Sequence, residues 1–232
     1  MIRAIQFQNK RVGSTFLQKA IDSHPDIAGI DEVFVNMARK PGMKKSGITP
    51  YLRSSHTKPQ SYIEKEIYKK YPDKHTIFKL MYNQIDYHKG LMNYIKQNNI
   101  PVIHVIRLNL VKQVISGMTA ASTEHNPVVI NPKDLLRAVD EAQRLNIHWS
   151  NMLHNHIKLT LYYEGLFGET IDDVTFVNNE VNASVCQFFG VPNIRLFART
   201  KKKNKDNLSV YLPNIDEIRK VFKETEFEWM ID

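Results

Sequence analysis

Within Arg11-Val12-Gly13-Ser14-Thr15-Phe16-Leu17 the chain combines a cation, a glycine and two hydroxyls. The stretch follows the apolar run Ile2 to Phe7, so the order reads as strand, tight turn and helix start. A helix start presents backbone N–H groups that lack acceptors within the helix. It also carries the positive end of the helix dipole, and together these suit a phosphate. Gly13 lets the backbone close on an anion, Ser14 and Thr15 add hydroxyl donors, and Arg11 adds charge. An ordinary strand-to-helix turn with a serine N-cap fits the same residues.

A nucleotide-hydrolysing P-loop ends in Gly-Lys-Ser/Thr. Here Ser14 follows Gly13, and the cation stands two residues before the glycine. Three further charged groups fall at the ends of apolar runs: Glu32 after Ile27–Ile30, Lys79 within His75–Met81, and Arg107 after Pro101. Ligands of open parallel sheets bind beyond the carboxyl ends of the strands, so Arg11, Glu32, Lys79 and Arg107 can share one site. A carboxylate there can take a proton from an attacking hydroxyl. Cations there can stabilise a leaving phosphate. Lys79 also fits a strand-end lysine whose stem lies on apolar surface. Asp31 and Glu32 also fit acids that cap or salt-bridge the next segment.

Strand and helix patterns alternate along the chain, which predicts an α/β fold with a mainly parallel central sheet flanked by helices. Strands are expected at Ile2–Phe7, Ile27–Ile30, His75–Met81, Pro101–Arg107 and Lys158–Tyr163. Helices are expected at Thr15–Ser23, Tyr62–Tyr71, Tyr87–Gln97, Leu110–Ala121, Pro132–His156, Asn182–Phe189 and Asn214–Lys223. Asn109 and Gly190 supply an N-cap and a C-cap. Residues 38–60 hold Pro41, Gly42, Gly47, Pro50 and Pro59 with little periodicity and read as a long loop.

Length and composition bound the rest. At 232 residues, 42% hydrophobic and 24% charged, one soluble globular domain is expected. The apolar runs are far too short for a membrane span, and no signal core is evident, which points to the cytoplasm. Cys186 is the single cysteine and lies among apolar residues, as a buried thiol would. His148, His154 and His156 lack metal-ligand spacing, and no metal is expected. A net charge of +8 suggests an anionic ligand. Five positive charges crowd Arg199 to Lys205, and a second basic region spans Arg39 to Lys58.

Four segments in order resemble the PAPS-dependent sulfotransferases (PAPS is 3′-phosphoadenosine 5′-phosphosulfate). Arg11 to Leu17 is similar to the family's loop for the 5′-phosphosulfate. Ile106-Arg107-Leu108 running to Ser116 is similar to the segment whose arginine and serine hold the 3′-phosphate. Leu161-Tyr162-Tyr163-Glu164-Gly165-Leu166 is similar to a Tyr-Glu-Asp-Leu stretch whose tyrosine approaches the adenine. His24-Pro25-Asp26-Ile27 running to Phe34 resembles the stretch that carries a glutamate base in the tyrosylprotein and trehalose-type branches. The match spans residue 2 to about 225. Ser116 stands nine residues after Arg107, one more than the commoner family spacing.

The resemblance implies a P-loop-like three-layer fold and in-line transfer of a sulfuryl group from PAPS, leaving PAP. The acceptor would be a hydroxyl, or an amine, on a small molecule, glycan or peptide. It implies Glu32 as general base, with Arg11 and Lys79 on the transferring group. It implies Arg11, Val12, Gly13, Ser14, Thr15, Phe16, Arg107, Ser116, Tyr163, Lys201, Lys202 and Ser209 as nucleotide contacts. Phe16 fits either an adenine contact or a core residue. The loop 199–209 would cover the nucleotide, and the segment from Val33 to Gln60 would help form the acceptor pocket. Some relatives use a histidine base, for which His56 is the candidate. A nucleotide or nucleoside kinase of related fold is the alternative, weakened by the missing Walker lysine. A basic nucleic-acid binder is a further one, but no recognisable motif or membrane-binding segment supports either such partner.

Overall fold

The computed structural model describes residues 1–35, 51–52, 58–88, 90–119, 128–200, 208–210 and 212–231. The chain divides into two compact units, residues Met1–Ile106 with Leu153–Thr200, and Arg107–Met152 with Lys201–Asp232.

The first unit is built on a five-stranded parallel sheet. The chain enters it as β1 (Arg3–Gln8), α1 (Ser14–Asp22) and β2 (Ile27–Ile30), followed by β3 (Phe34–Val35) and β4 (Tyr51–Leu52). It continues through α2 (Pro59–Tyr62), β5 (His75–Met81), α3 (Tyr82–Tyr87), α4 (Leu91–Gln97) and β6 (Val102–Ile106). Sheet order is β2-β5-β1-β6 with β7 (Lys158–Tyr162) at the far edge, and each pairing in it is parallel. Central strands of such a sheet are covered on both faces, so they read as near-continuous apolar runs. One face packs Ala4, Ile77, Ile103, Val105 and Leu161 against α1 and α7 (Asn179–Phe189). On the other face the rings of Phe34, Tyr62, Tyr68 and Phe78 pack together.

Three differences from the sequence expectation stand out. The helix expected over Tyr87–Gln97 starts later, as α4 at Leu91 after Gly90 with its left-handed φ of 85°, and α3 over Tyr82–Tyr87 is a further helix that was not anticipated. Segment 59–70 is helical but passes from α2 through a π turn (Ile63–Ile67) into a 3-10 turn (Tyr68–Lys70). A second, antiparallel sheet was not anticipated. It pairs β8 (Phe167–Ile171), β9 (Val174–Val177) and β10 (Phe197–Ala198). Asp172 and Asp173, with φ of 47° and 64°, make the two-residue left-handed hairpin turn between β8 and β9. Of the loop expected over 38–60, residues 51–52 pair as β4 with β3, and most of the rest lies outside the described residues.

The second unit is helical: α5 (Leu110–Met118), α6 (Pro132–Met152) and α8 (Ile215–Phe222). Leu110, Val111, Ile115, Leu135, Val139, Ile218 and Phe222 form its core. Asn109 caps α5 as expected, its Oδ1 accepting the Lys112 N–H at 2.8 Å. Its amide donates to the Met230 carbonyl at 2.9 Å, which fixes the C-terminal turn to the start of α5.

Candidate active site

The loop between β1 and α1 changes handedness twice. Arg11 has φ 66° and Gly13 φ 73°, while Val12 between them does not have a positive φ. Where right- and left-handed residues alternate, successive N–H groups can turn toward one side, as in anion-binding concavities. Gly13 is the N-cap of α1 and has no side chain to cap it, in place of the serine cap that the sequence also allowed. Helix geometry therefore gives the amides of Ser14, Thr15 and Phe16 no acceptor within the helix. The Leu17 N–H closes the first turn on the Gly13 carbonyl at 3.1 Å. Gln6, fully buried on β1, donates to the Ser14 carbonyl at 2.9 Å and ties strand to helix.

The packing around Gly13 leaves no room for a side chain. A Cβ there would stand 2.9 Å from Cδ2 of Tyr163 and 3.2 Å from Leu166. Tyr163 follows β7 in a 3-10 turn, and its ring meets Phe167 edge-on at 5.2 Å. Phe16 is 4% exposed, with its ring 4.6 Å from Phe167. Phe16 and Val12 both lie in the buried core of this unit.

Lys79 lies on β5, next to β1, where its register partner is Gln6. Its side chain is 6% exposed, so it does not reach out to solvent as a strand-end lysine would. The ammonium meets Oδ1 of Asp31 at 2.6 Å and the Thr15 hydroxyl at 3.4 Å. The same Asp31 oxygen accepts the Glu32 N–H at 2.7 Å. Asp31 thus holds the lysine beside the first turn of α1 and fixes the backbone of its own neighbour.

Asp31 and Glu32 follow β2 in irregular backbone rather than in a strand. Glu32 is half-buried, and its Oε1 accepts from Nε2 of Gln84 at 2.6 Å. Gln84 also donates to the Phe34 carbonyl, and its Oε1 accepts the Met81 N–H at 2.8 Å. Sequence reasoning passed over Gln84. The signal was a glutamine at the third position of a helix directly after a strand, where it can reach back to the preceding N–H.

Arg11, Gly13, Ser14, Thr15, Glu32, Lys79 and Tyr163 all belong to the first unit. Arg107 directly follows β6 and opens the second unit, where it and Ser116 on α5 are both buried. Ser209 is exposed in the 3-10 turn Leu208–Val210. Lys201, Lys202 and His56 lie outside the described residues. Among the described residues no group of three or more His, Cys, Asp or Glu side chains could hold a metal ion. Nor is any described helix long and apolar enough to cross a membrane. Cys186 is buried, and burial raises its thiol above the usual range.

The fold has a solved counterpart. The chain is similar in fold to a sulfotransferase from Alicyclobacillus acidocaldarius. The two are 11% identical and superpose with a TM-score of 0.53 over 99% of this chain and 98% of that chain. At that identity the likeness is one of fold. No protein-family model matches the chain, and no curated protein is significantly similar to it.

Proposed function

We propose that the protein is a PAPS-dependent sulfotransferase. The observation that carries this reading is the Lys79 ammonium held 3.4 Å from the Thr15 hydroxyl, under a glycine-capped, doubly left-handed anion loop. The cation absent from the loop's own Walker position is supplied from the neighbouring strand. The fold it shares with a solved sulfotransferase and the ordered sequence motifs support the same reading.

In this reading the loop from Arg11 to Thr15 binds the 5′-phosphosulfate, and Tyr163 lies on the nucleotide side of Gly13. Lys79 and Thr15 stabilise charge on the transferring group and the departing phosphate. Glu32 takes the proton of the acceptor hydroxyl as its oxygen bonds to sulfur. The bridging S–O bond breaks, and its electron pair leaves on the phosphate of PAP. No metal is required, since positioned cations and amides do the electrostatic work. Arg107 and Ser116 are the groups proposed for the 3′-phosphate. The acceptor is a hydroxyl, or an amine, of a small molecule, glycan or peptide.

Calorimetric titration with PAP, beside ADP and magnesium-ATP, tests the reading. PAP binding well above ADP is expected, and Arg107→Ala should remove that preference. A preference for ATP with magnesium would favour a kinase. No binding of any of the three would overturn a nucleotide site altogether.

A further inference from the structure

We propose that Gln84 is a positioning residue that fixes Glu32 as the proton acceptor, in preference to its neighbour Asp31. The inference rests on the sulfotransferase reading and adds a residue to it.

Asp31 and Glu32 are adjacent acids beside the anion loop, and either type of side chain can act as a base. The structure gives them different partners. The Asp31 carboxylate is engaged by the Lys79 ammonium at 2.6 Å and by the Glu32 N–H at 2.7 Å. A carboxylate paired with a cation holds a proton less readily. Among the described residues, the Glu32 side chain has an amide as its hydrogen-bond partner, Nε2 of Gln84 at 2.6 Å. A neutral amide orients the carboxylate without cancelling its charge. Among the described residues Oε1 is the oxygen so held, and Oε2 is the one assigned to take the proton.

Gln84 is suited to this because it has no freedom of its own. It is 3% exposed, and its amide is used from both ends. Nε2 donates to Glu32 and to the Phe34 carbonyl, while Oε1 accepts the Met81 N–H at 2.8 Å. Those bonds join the segment after β2 to the junction of β5 and α3. Lys79 lies two residues before Met81 on the same strand. The amide therefore sets Glu32 relative to the strand that carries the cation. A base held in one orientation is effective because small misplacements are costly in rate.

Steady-state PAPS turnover over a panel of a phenol, a sugar and a tyrosyl peptide tests this, with calorimetric PAP affinity alongside. The variants are Glu32→Gln, Gln84→Met and the double substitution. Methionine fills a similar volume but cannot donate. Gln84→Met should lower kcat about tenfold, with KM for PAPS and the Kd for PAP changed less than about twofold. In the double variant kcat should equal that of Glu32→Gln alone, because orienting a missing base has no value. Unchanged kcat in Gln84→Met, or losses that multiply in the double variant, would overturn the positioning role. Should Gln84→Met fail to fold, Gln84→Glu retains the acceptor for Met81 but sets a carboxylate against Glu32. The same fall in kcat is then expected, and unchanged kcat would overturn the role. Full turnover in Glu32→Gln, or no PAPS turnover by the unmodified protein with any acceptor, would remove the base reading and this inference with it. That pattern differs from loss in Glu32→Gln with none in Gln84→Met, which removes the positioning role alone.

Discussion

Lys79 and Asp31 form an ion pair of 2.6 Å in which the lysine side chain is 6% exposed and the carboxylate 34%. A lysine so deep in a parallel sheet needs a partner, because an unpaired buried ammonium is costly. Asp31 supplies it from the end of β2, and the pairing of β2 with β5 brings the two together. The charge is thereby stored beside the Thr15 hydroxyl, where an anion in the loop could draw on it.

Lys79→Met should separate the structural from the chemical role of this pair. Removing the lysine takes away the cation held against Asp31, at about 1–3 kcal/mol after allowance for the partial exposure of the carboxylate. Lys79→Met with Asp31→Asn should recover most of that stability, as the charge of the carboxylate goes with that of its cation. PAPS turnover should stay at least about a hundredfold down in both variants, since neither has the cation. Denaturant unfolding and turnover measured on the same samples check this. A double variant as unstable as the single one would show that the ion pair is not what stabilises the segment.

Gly13 is under two independent constraints, its φ of 73° and the 2.9 Å approach of a Cβ to Tyr163. Gly13→Ala should cost on the order of 2 kcal/mol, about 1–2 of it from the left-handed backbone alone. It should also weaken PAP by about tenfold or more, because the loop's N–H groups turn with Gly13. Adding Tyr163→Ala relieves the steric part but not the backbone part. The double variant should therefore bind PAP no better than Gly13→Ala. Calorimetry decides, and PAP affinity unchanged in Gly13→Ala would separate the loop from the nucleotide site.

The parallel sheet was legible because its central strands are buried on both faces. Runs such as Ile2 to Phe7 and Val102 to Ile106 allow little else. The turn between β1 and α1 was legible because glycine, hydroxyls and cation are contiguous. The hairpin of β8 and β9 was not, because its turn is Asp172-Asp173 rather than the usual pair ending in glycine. The later start of α4 was missed because apolar spacing runs from Tyr87 across Gly90 while the helix does not. The bonds of Lys79 to Asp31 and of Gln84 to Glu32 join segments distant in the chain. No local pattern encodes them. They exist because β2 and β5 are neighbours in the sheet.

His104 offers a test of the core that is independent of the loop. It is 1% exposed on β6, with Phe7 stacked at 6.0 Å and the Tyr82 hydroxyl 2.6 Å from Nε2. Its Nδ1 is buried without a hydrogen-bond partner among the described residues, and the nearby charge is Lys158. Burial, reinforced by that lysine, pushes its pKa down from 6.5 to about 4. The folded protein thus holds His104 neutral where the unfolded chain protonates it. Stability is fully present above about pH 6.5 and is lost as pH falls from there through about 4. The gap corresponds to on the order of 3 kcal/mol. His104→Gln cannot take up that proton. Its stability should fall less than the parent's between pH 7 and pH 4.5, even if it starts lower. Urea unfolding of both proteins at these two pH values gives the comparison, and parallel losses in the two would assign the acid sensitivity to other groups.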